Sequence, residues 1–469
     1  MNRLVPSLKK RGIITCCVVI MICFVVVEPS CASFTLEDER RLGKEFYEKI
    51  RTNGMLFEDR DLIEYVDTIG RRLLAQGDEY PLDFTFSVIE NAGINAFATP
   101  GGYVYVYAGL IGLAENEDQL AGVLAHEIAH VKARHIARAI EKSKKMNIAT
   151  IAAILAGAFL GGGEGAAALS GLAMAAATTM NLKYSRDHEE EADRLGMSYI
   201  VGARYDGKGM LDFLKLMRQY EYYSNKIPSY FLTHPGTGDR IAYLTVLIQS
   251  RYARAETTEA VGGFQRIKTR LILDMQDCGS NMEYFAEKLR KNPDDVEALY
   301  GLAVTESKIG KIDDSHAHFA RAIRNAPDDY EIIRDLGISY YEAGDSANAI
   351  KYLNKSYAIK RDDPETLRYL GRSYESTGNL TTALDLYKYL FELTPSDSDV
   401  YYHLAMTYGK LNNLEASHFY FGKYFKEQEK KSSALFHFKA ALEQTHPGSE
   451  RAEKIKKEIE SFESGHPEK

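Results

Sequence analysis

Between Leu299 and Phe421 the chain repeats itself every 34 residues. A period of that length dictates stacked like units, each burying its apolar face against its neighbours. Leu302-Ala303, Leu336-Gly337, Leu370-Gly371 and Leu404-Ala405 keep step, as do Leu299, Ile333, Leu367 and Tyr401. Gly310, Gly344, Gly378 and Asn412 fall in the same phase, followed by Phe319, Leu353, Tyr387 and Phe421. Pro293, Pro327 and Pro395 share the spacing, with Arg361 as the exception. A half copy, "FAEKLRKNPDD" from Phe285, matches "FARAIRNAPDD" from Phe319, so the array is expected to start with a lone helix near residue 281. Residues Ser432 to Phe462 are helical in pattern but out of phase, as suits a terminal cap.

With "LGISY" and "LGRSY" at the repeated positions, this segment resembles the tetratricopeptide repeat. Departures are the absence of tryptophan and Glu306 where later repeats carry tyrosine. The resemblance implies paired helices wound into a superhelix whose concave face binds peptide segments. The alternative is an array that braces the domain in front of it.

The start of the chain is of another kind. Basic residues up to Arg11 precede sixteen mostly apolar residues, Gly12 to Val27, and then small residues at Ser30 and Ala32. That is the layout of a secretory signal over residues 1–32; an uncleaved anchor is the alternative, though the run is short of the roughly 20 residues a spanning helix needs. Cys16, Cys17, Cys23 and Cys31 lie in this segment, so Cys278 alone remains and no internal disulfide stabilises the rest. The formal charge is −8; the segment carries Arg3, Lys9, Lys10 and Arg11 against Glu28, which leaves −11 on the remainder. An acidic body repels phosphate backbones, which excludes nucleic acid as a partner.

Residues 33–265 are expected to form an α+β domain, mostly helical with a small sheet. "LDFTFSVIE" and "GYVYVYAGLI" read as strands, and "NAFATPGG", Asn95 to Gly102, as a turn between them. A helix is expected from about Asn116, capped by Asn116 and Gln119, to Lys144. Within it, "HEIAH" sets His126 and His130 one turn apart on one face, where both ring nitrogens can reach one metal ion. Glu127 stands beside that face, where its carboxylate can take a proton from an activated water. A zinc peptidase needs a third protein ligand. "YSRDHEEEADRLG", Tyr184 to Gly196, supplies carboxylates on another helix: Glu189 as a ligand, and Asp193, one turn on, as acceptor of a hydrogen bond from a ligand histidine. His135 and His188 are read as a core-bonded and a surface histidine.

"NAFATPGG", "HEIAHVKARH" and "SRDHEEEADRLG", in that order over residues 35 to 250, resemble the M48 family of zinc metallopeptidases. The resemblance implies a gluzincin-like fold, one Zn2+ per chain held by His126, His130 and Glu189, and Glu127 as catalytic base. It also draws in "FLTHPGTGDRIAYL". His234 would stabilise the oxyanion or occupy the metal's open position at rest, and Arg240 would brace the site; the alternative is an exposed loop histidine and a surface arginine. A secretory signal in front and repeats behind resemble a periplasmic subgroup of that family. For this subgroup the implication is cleavage of unfolded or misassembled outer-membrane β-barrel proteins, a chaperone-like role, and docking of the repeats on the outer-membrane assembly machinery. A scaffold with a latent peptidase site is the rival reading.

Residues 147–181 carry Glu164 as their one charge, with "GGGEG" at the centre. They read as a helical hairpin that covers the cleft or touches the membrane surface, with a two-pass membrane segment as the alternative. "GYVYVYAGL" is expected to hold extended substrate along its edge. A linker at 266–280, repeats over 281–447 and a terminal helix and tail over 448–469 complete the layout.

Overall fold

The computed structural model describes residues 34–76, 79–142, 148, 150–152, 155, 184–224, 228–253, 257, 262–395 and 397–463. The expected signal and most of the apolar insert lie outside these. Among the described residues, no helix is long and apolar enough to cross a membrane.

Two amphipathic helices, α1 (Leu36–Thr52) and α2 (Arg60–Leu74), open the first domain. Three strands follow, β1 (Thr85–Ile89), β2 (Ala96–Thr99) and β3 (Tyr103–Tyr107). Their order in the sheet is β1-β3-β2, with β3 parallel to β1 and antiparallel to β2. The stretch expected as a turn therefore contains a strand. Only Pro100 to Gly102 turn; Gly101 and Gly102 have φ of +94° and +92°, and a Cβ on Gly102 would stand 2.1 Å from the Asp83 carbonyl oxygen. The sheet order also corrects the expected substrate strand. β3 is paired on both sides and the outer side of β1 is bridged by Met55 to Phe57, so among the described residues the edge without a partner is that of β2.

A short helix, α3 (Ala108–Leu113), follows β3; Val104 and Val106 face a core shared with α2 and the buried helix α4 (Glu117–Lys132), and Tyr105 and Tyr107 face a second core with α1. The alternation follows from the two-residue period of a strand. Asn116 caps α4 by accepting from the Gln119 N–H at 3.0 Å, while the Gln119 side chain accepts from Glu115 N–H at 2.9 Å. α4 is shorter than expected. Arg134 adopts φ +52° and the chain restarts as α5 (His135–Lys142), because Arg134 turns back to donate to Glu39 at 2.6 Å and to the Phe34 carbonyl at 2.9 Å. The domain continues through α6 (Arg186–Gly202), α7 (Lys208–Ser224), α8 (Ser229–Thr233) and α9 (Thr237–Leu247).

Residues read as a linker hold α10 (Phe264–Met275), and α11 (Cys278–Lys291) follows. Arg266 of α10 stands one period before Tyr300, and two and three before Arg334 and Arg368, so α10 occupies the place of a repeat's first helix. Four regular helix pairs then run from Val296–Lys308 to Leu414–Glu427. Lys431–Glu443 and Glu450–Glu463 add a further pair at nearly the same spacing. Gly310, Gly344, Gly378 and Asn412 all have positive φ, which is why the turn between paired helices repeats these residue types. The first helix of each pair begins at an aspartate cap: Asp295, Asp329, Asp363 and Asp397.

α10 belongs to both domains. Phe264, Ile267 and Leu271 join the core of the first domain, whereas Ile272 and Leu273 join that of the repeats. Arg270 donates to Asp59 at 2.7 Å, and Arg266 is held by Glu297 and Asp329 at 2.9 and 2.7 Å. The repeats thus brace the first domain through a shared helix.

Candidate metal centre

α4 and α6 cross in the core, and their facing turns carry the site. His126, His130, Glu189 and His234 each offer a ligand atom, all within 4.8 Å of one another, and all four are buried. The Nε2 atoms of His126 and His130 are 3.0 Å apart. Glu189 brings Oε2 to 3.4 Å from His126 Nε2 and Oε1 to 3.4 Å from His130 Nε2. Tetrahedral zinc with bonds of roughly 2.0–2.1 Å spaces its ligand atoms about 3.3 Å apart, so this donor set fits the ion.

His234 contributes the fourth atom. It follows α8, its N–H donating to the Tyr230 carbonyl at 2.8 Å, and Gly236 at φ +82° lets the chain turn into α9. Its Nδ1 lies 3.3 Å from His126 Nε2 and 3.1 Å from Glu189 Oε1. His234 is therefore neither an exposed loop residue nor aimed outward; it stands among the other three.

Behind them, Asp193 places Oδ1 2.8 Å from His126 Nδ1. Arg240, in the first turn of α9, grips Asp193 at 2.7 and 2.8 Å and reaches Glu189 Oε2 at 2.7 Å. It is 3% exposed, so it is no surface arginine. Burial opposes the charge of Glu189, yet His234 and Arg240 hold its carboxyl well below the usual range. Burial and Arg240 also pull His126 down, but the Asp193 and Glu189 carboxylates outweigh them and lift it to about 9. The same surplus of negative potential favours a cation between the four side chains.

Glu127 is fully buried and neither carboxylate oxygen has a hydrogen-bond partner; Oε1 lies 3.5 Å from His234 Nε2. Burial raises its pKa. A buried carboxylate without a donor is costly, and beside a metal site a water is its natural partner.

Four neighbours were not legible as site residues. His135, which α5 re-aims through the break at Arg134, meets His130 Nδ1 at 2.7 Å and Glu191 at 2.9 Å. His188 stacks on His135 at 4.4 Å, which makes it half-buried instead of solvated. Tyr230 stacks on His234 at 4.2 Å, and Tyr184 stacks on His130 at 3.7 Å. The helix break and the tyrosine preceding the Ser185 cap were the available signals, and neither points to a partner by itself.

Residues 62–248 match Peptidase family M48. Residues 305–364, 335–398 and 398–431 match tetratricopeptide repeat families. A putative beta-barrel assembly-enhancing protease of Vibrio cholerae is 38% identical over 213 residues, which cover 45% of this chain and 44% of the relative. The mitochondrial metalloendopeptidase OMA1 of Schizosaccharomyces pombe is 27% identical over 232 residues, 48% of this chain and 65% of the relative. The structure of MamA from Desulfovibrio magneticus is 17% identical, with a TM-score of 0.33 over 36% of this chain and 98% of that chain. The chain spans under half the length of the assembly-enhancing protease it matches.

Proposed function

We propose, from the premise that this chain carries a Peptidase family M48 domain with tetratricopeptide repeats behind it, that it is a zinc-dependent endopeptidase acting on unfolded or misassembled polypeptide. The observation that carries the reading is the convergence of two imidazoles and a carboxylate at metal-ligand spacing beside a buried, unpartnered Glu127. Zinc, when bound, supplies a polarised carbonyl and an acidified water.

His126, His130 and Glu189 would hold the ion. Asp193 fixes the His126 tautomer by accepting from Nδ1–H, and Arg240 keeps both carboxylates charged. Glu127 accepts the proton of the attacking water and returns it to the leaving amine nitrogen; burial raises its affinity for that proton, which suits both halves of the task. An extended segment can add to the outer edge of β2, which has no strand partner among the described residues and whose end at Ala98 and Thr99 adjoins His130. Edge pairing requires an unpaired backbone, so unfolded chain is preferred over folded protein.

In the resting form His234 stands at the fourth corner, which favours a latent site that opens when this residue withdraws. The relatives named beta-barrel assembly-enhancing protease support β-barrel proteins, of the outer membrane in this reading, as substrates; the signal-like residues 1–32 support a periplasmic location, and the repeats are assigned to recruiting the assembly machinery. The test compares wild type with Glu127→Gln, with and without a chelator, on an unfolded β-barrel protein, alongside metal analysis. Zinc at one per chain and cleavage lost in both the variant and the chelated enzyme are expected. Equal cleavage by wild type and variant, or wild type without zinc, would refute the assignment.

A further inference from the structure

The reaction proposed above develops negative charge on the scissile carbonyl oxygen, and a second donor beside the cation normally receives it. Sequence suggested one such donor, His234, with Arg240 as a brace; in this form both are engaged. His234 has its Nδ1 among the ligand atoms, and Arg240 is tied to Asp193 and Glu189. Tyr184 is different. It is 4% exposed, its ring lies against His130 at 3.7 Å and 5.0 Å from His234, and its buried hydroxyl has no hydrogen-bond partner. Tyr105, Tyr205 and Tyr243 also bury hydroxyls without a partner, but of these four only Tyr184 stacks on a metal-ligand histidine, where the unmade bond is open to a substrate.

Its surroundings point to substrate. Tyr184 and His130 line a void of about 10 Å³ with Ala98 and Thr99, at the end of β2, whose outer side has no strand partner among the described residues. A segment paired along β2 reaches this place next to the metal ligands. We infer that the Tyr184 hydroxyl binds the carbonyl oxygen of the scissile peptide and donates a hydrogen bond to it as charge develops. No covalent bond of the tyrosine breaks and its proton stays in place.

The inference rests on the peptidase reading, and the experiment separates the two. Tyr184→Phe keeps the ring on His130 and removes only the hydroxyl. In the full chain, kcat on an unfolded β-barrel protein should fall about 100-fold with KM changed little, as for loss of one oxyanion donor. Affinity for a phosphinic peptide, which mimics the tetrahedral oxyanion, should fall by a similar factor in calorimetry, while zinc content stays at wild-type level. Cleavage and phosphinic-peptide binding both within about threefold of wild type would overturn the role of Tyr184 and leave the peptidase standing. Loss of zinc in Tyr184→Phe would also overturn it, by making the hydroxyl part of the metal site's support. A wild type that neither holds zinc nor cleaves would overturn both readings together.

Discussion

Replacing Arg240 by methionine keeps the length of the side chain and removes its charge. The arginine is the cation between two carboxylates that have no solvent to turn to: side-chain exposure is 4% for Arg240, 0% for Asp193 and 1% for Glu189, with contacts of 2.7 Å to each. Removing one partner of such a group strands the other, at a cost of roughly 3–5 kcal/mol. Asp193 retains His126, and Glu189 retains His234, so the lower end is the better figure for the metal-free protein. About 3 kcal/mol corresponds to roughly 150-fold in an opening equilibrium. The assay is amide hydrogen exchange of the α4 and α6 peptides in chelator, where Arg240→Met should lose protection by about that factor. Saturating zinc should restore much of it, because the ion supplies the missing positive charge next to Glu189. Protection within about threefold of wild type in chelator would refute the argument that Arg240 compensates the buried carboxylates. A loss that zinc fails to reduce would refute the placing of the ion between them.

Other outcomes follow from the same structure. Gly122 lies one turn before His126, and a Cβ there would stand 2.7 Å from Cα of Met210 in α7, a backbone atom that cannot give way. Gly122→Ala should cost about 1–3 kcal/mol and reduce activity by displacing α4, measured by thermal unfolding and cleavage rate. Lys268 of α10 donates to the Ala114 carbonyl at 2.7 Å and burial pulls its pKa down to about 8. A lysine that binds its proton less tightly folded than unfolded adds stability as pH rises from about 8 toward the ordinary value of 10.5, so denaturation midpoints should climb over that interval and Lys268→Met should flatten the rise. Asp193 and Glu189, held low in the folded state, act in the opposite pH region: their contribution is present above about 4 and is lost on further acidification, which acid titration of the metal-free protein should show. Arg266→Met should strip the shared helix of its hold on Glu297 and Asp329 and split thermal unfolding into separate peptidase and repeat transitions; one unchanged transition would mean that apolar packing alone couples the domains.

What the sequence determined by itself was whatever depends on neighbours along one chain segment. A helical turn fixes His126 against His130 and Glu189 against Asp193, and a 34-residue period fixes how helix pairs recur, because both are repeats of backbone geometry. The glycine or asparagine at each repeat's turn was legible for the same reason, since a positive φ selects residue type directly. Tertiary structure decided the rest. The break at Arg134 depends on Glu39, ninety-five residues away, and it alone turns His135 onto His130. The reading of Asn95–Gly102 as a turn missed β2, because pairing with β3 overrides the loop chemistry of the flanking Pro-Gly-Gly. That His234 enters the cluster, that Tyr184 arrives with a free hydroxyl, and that α10 serves two cores are outcomes of which surfaces meet. Periodicity within a segment carries no record of the partner across the gap, and in this chain it is those partners that set whether the metal site is open, closed or coupled to the repeats.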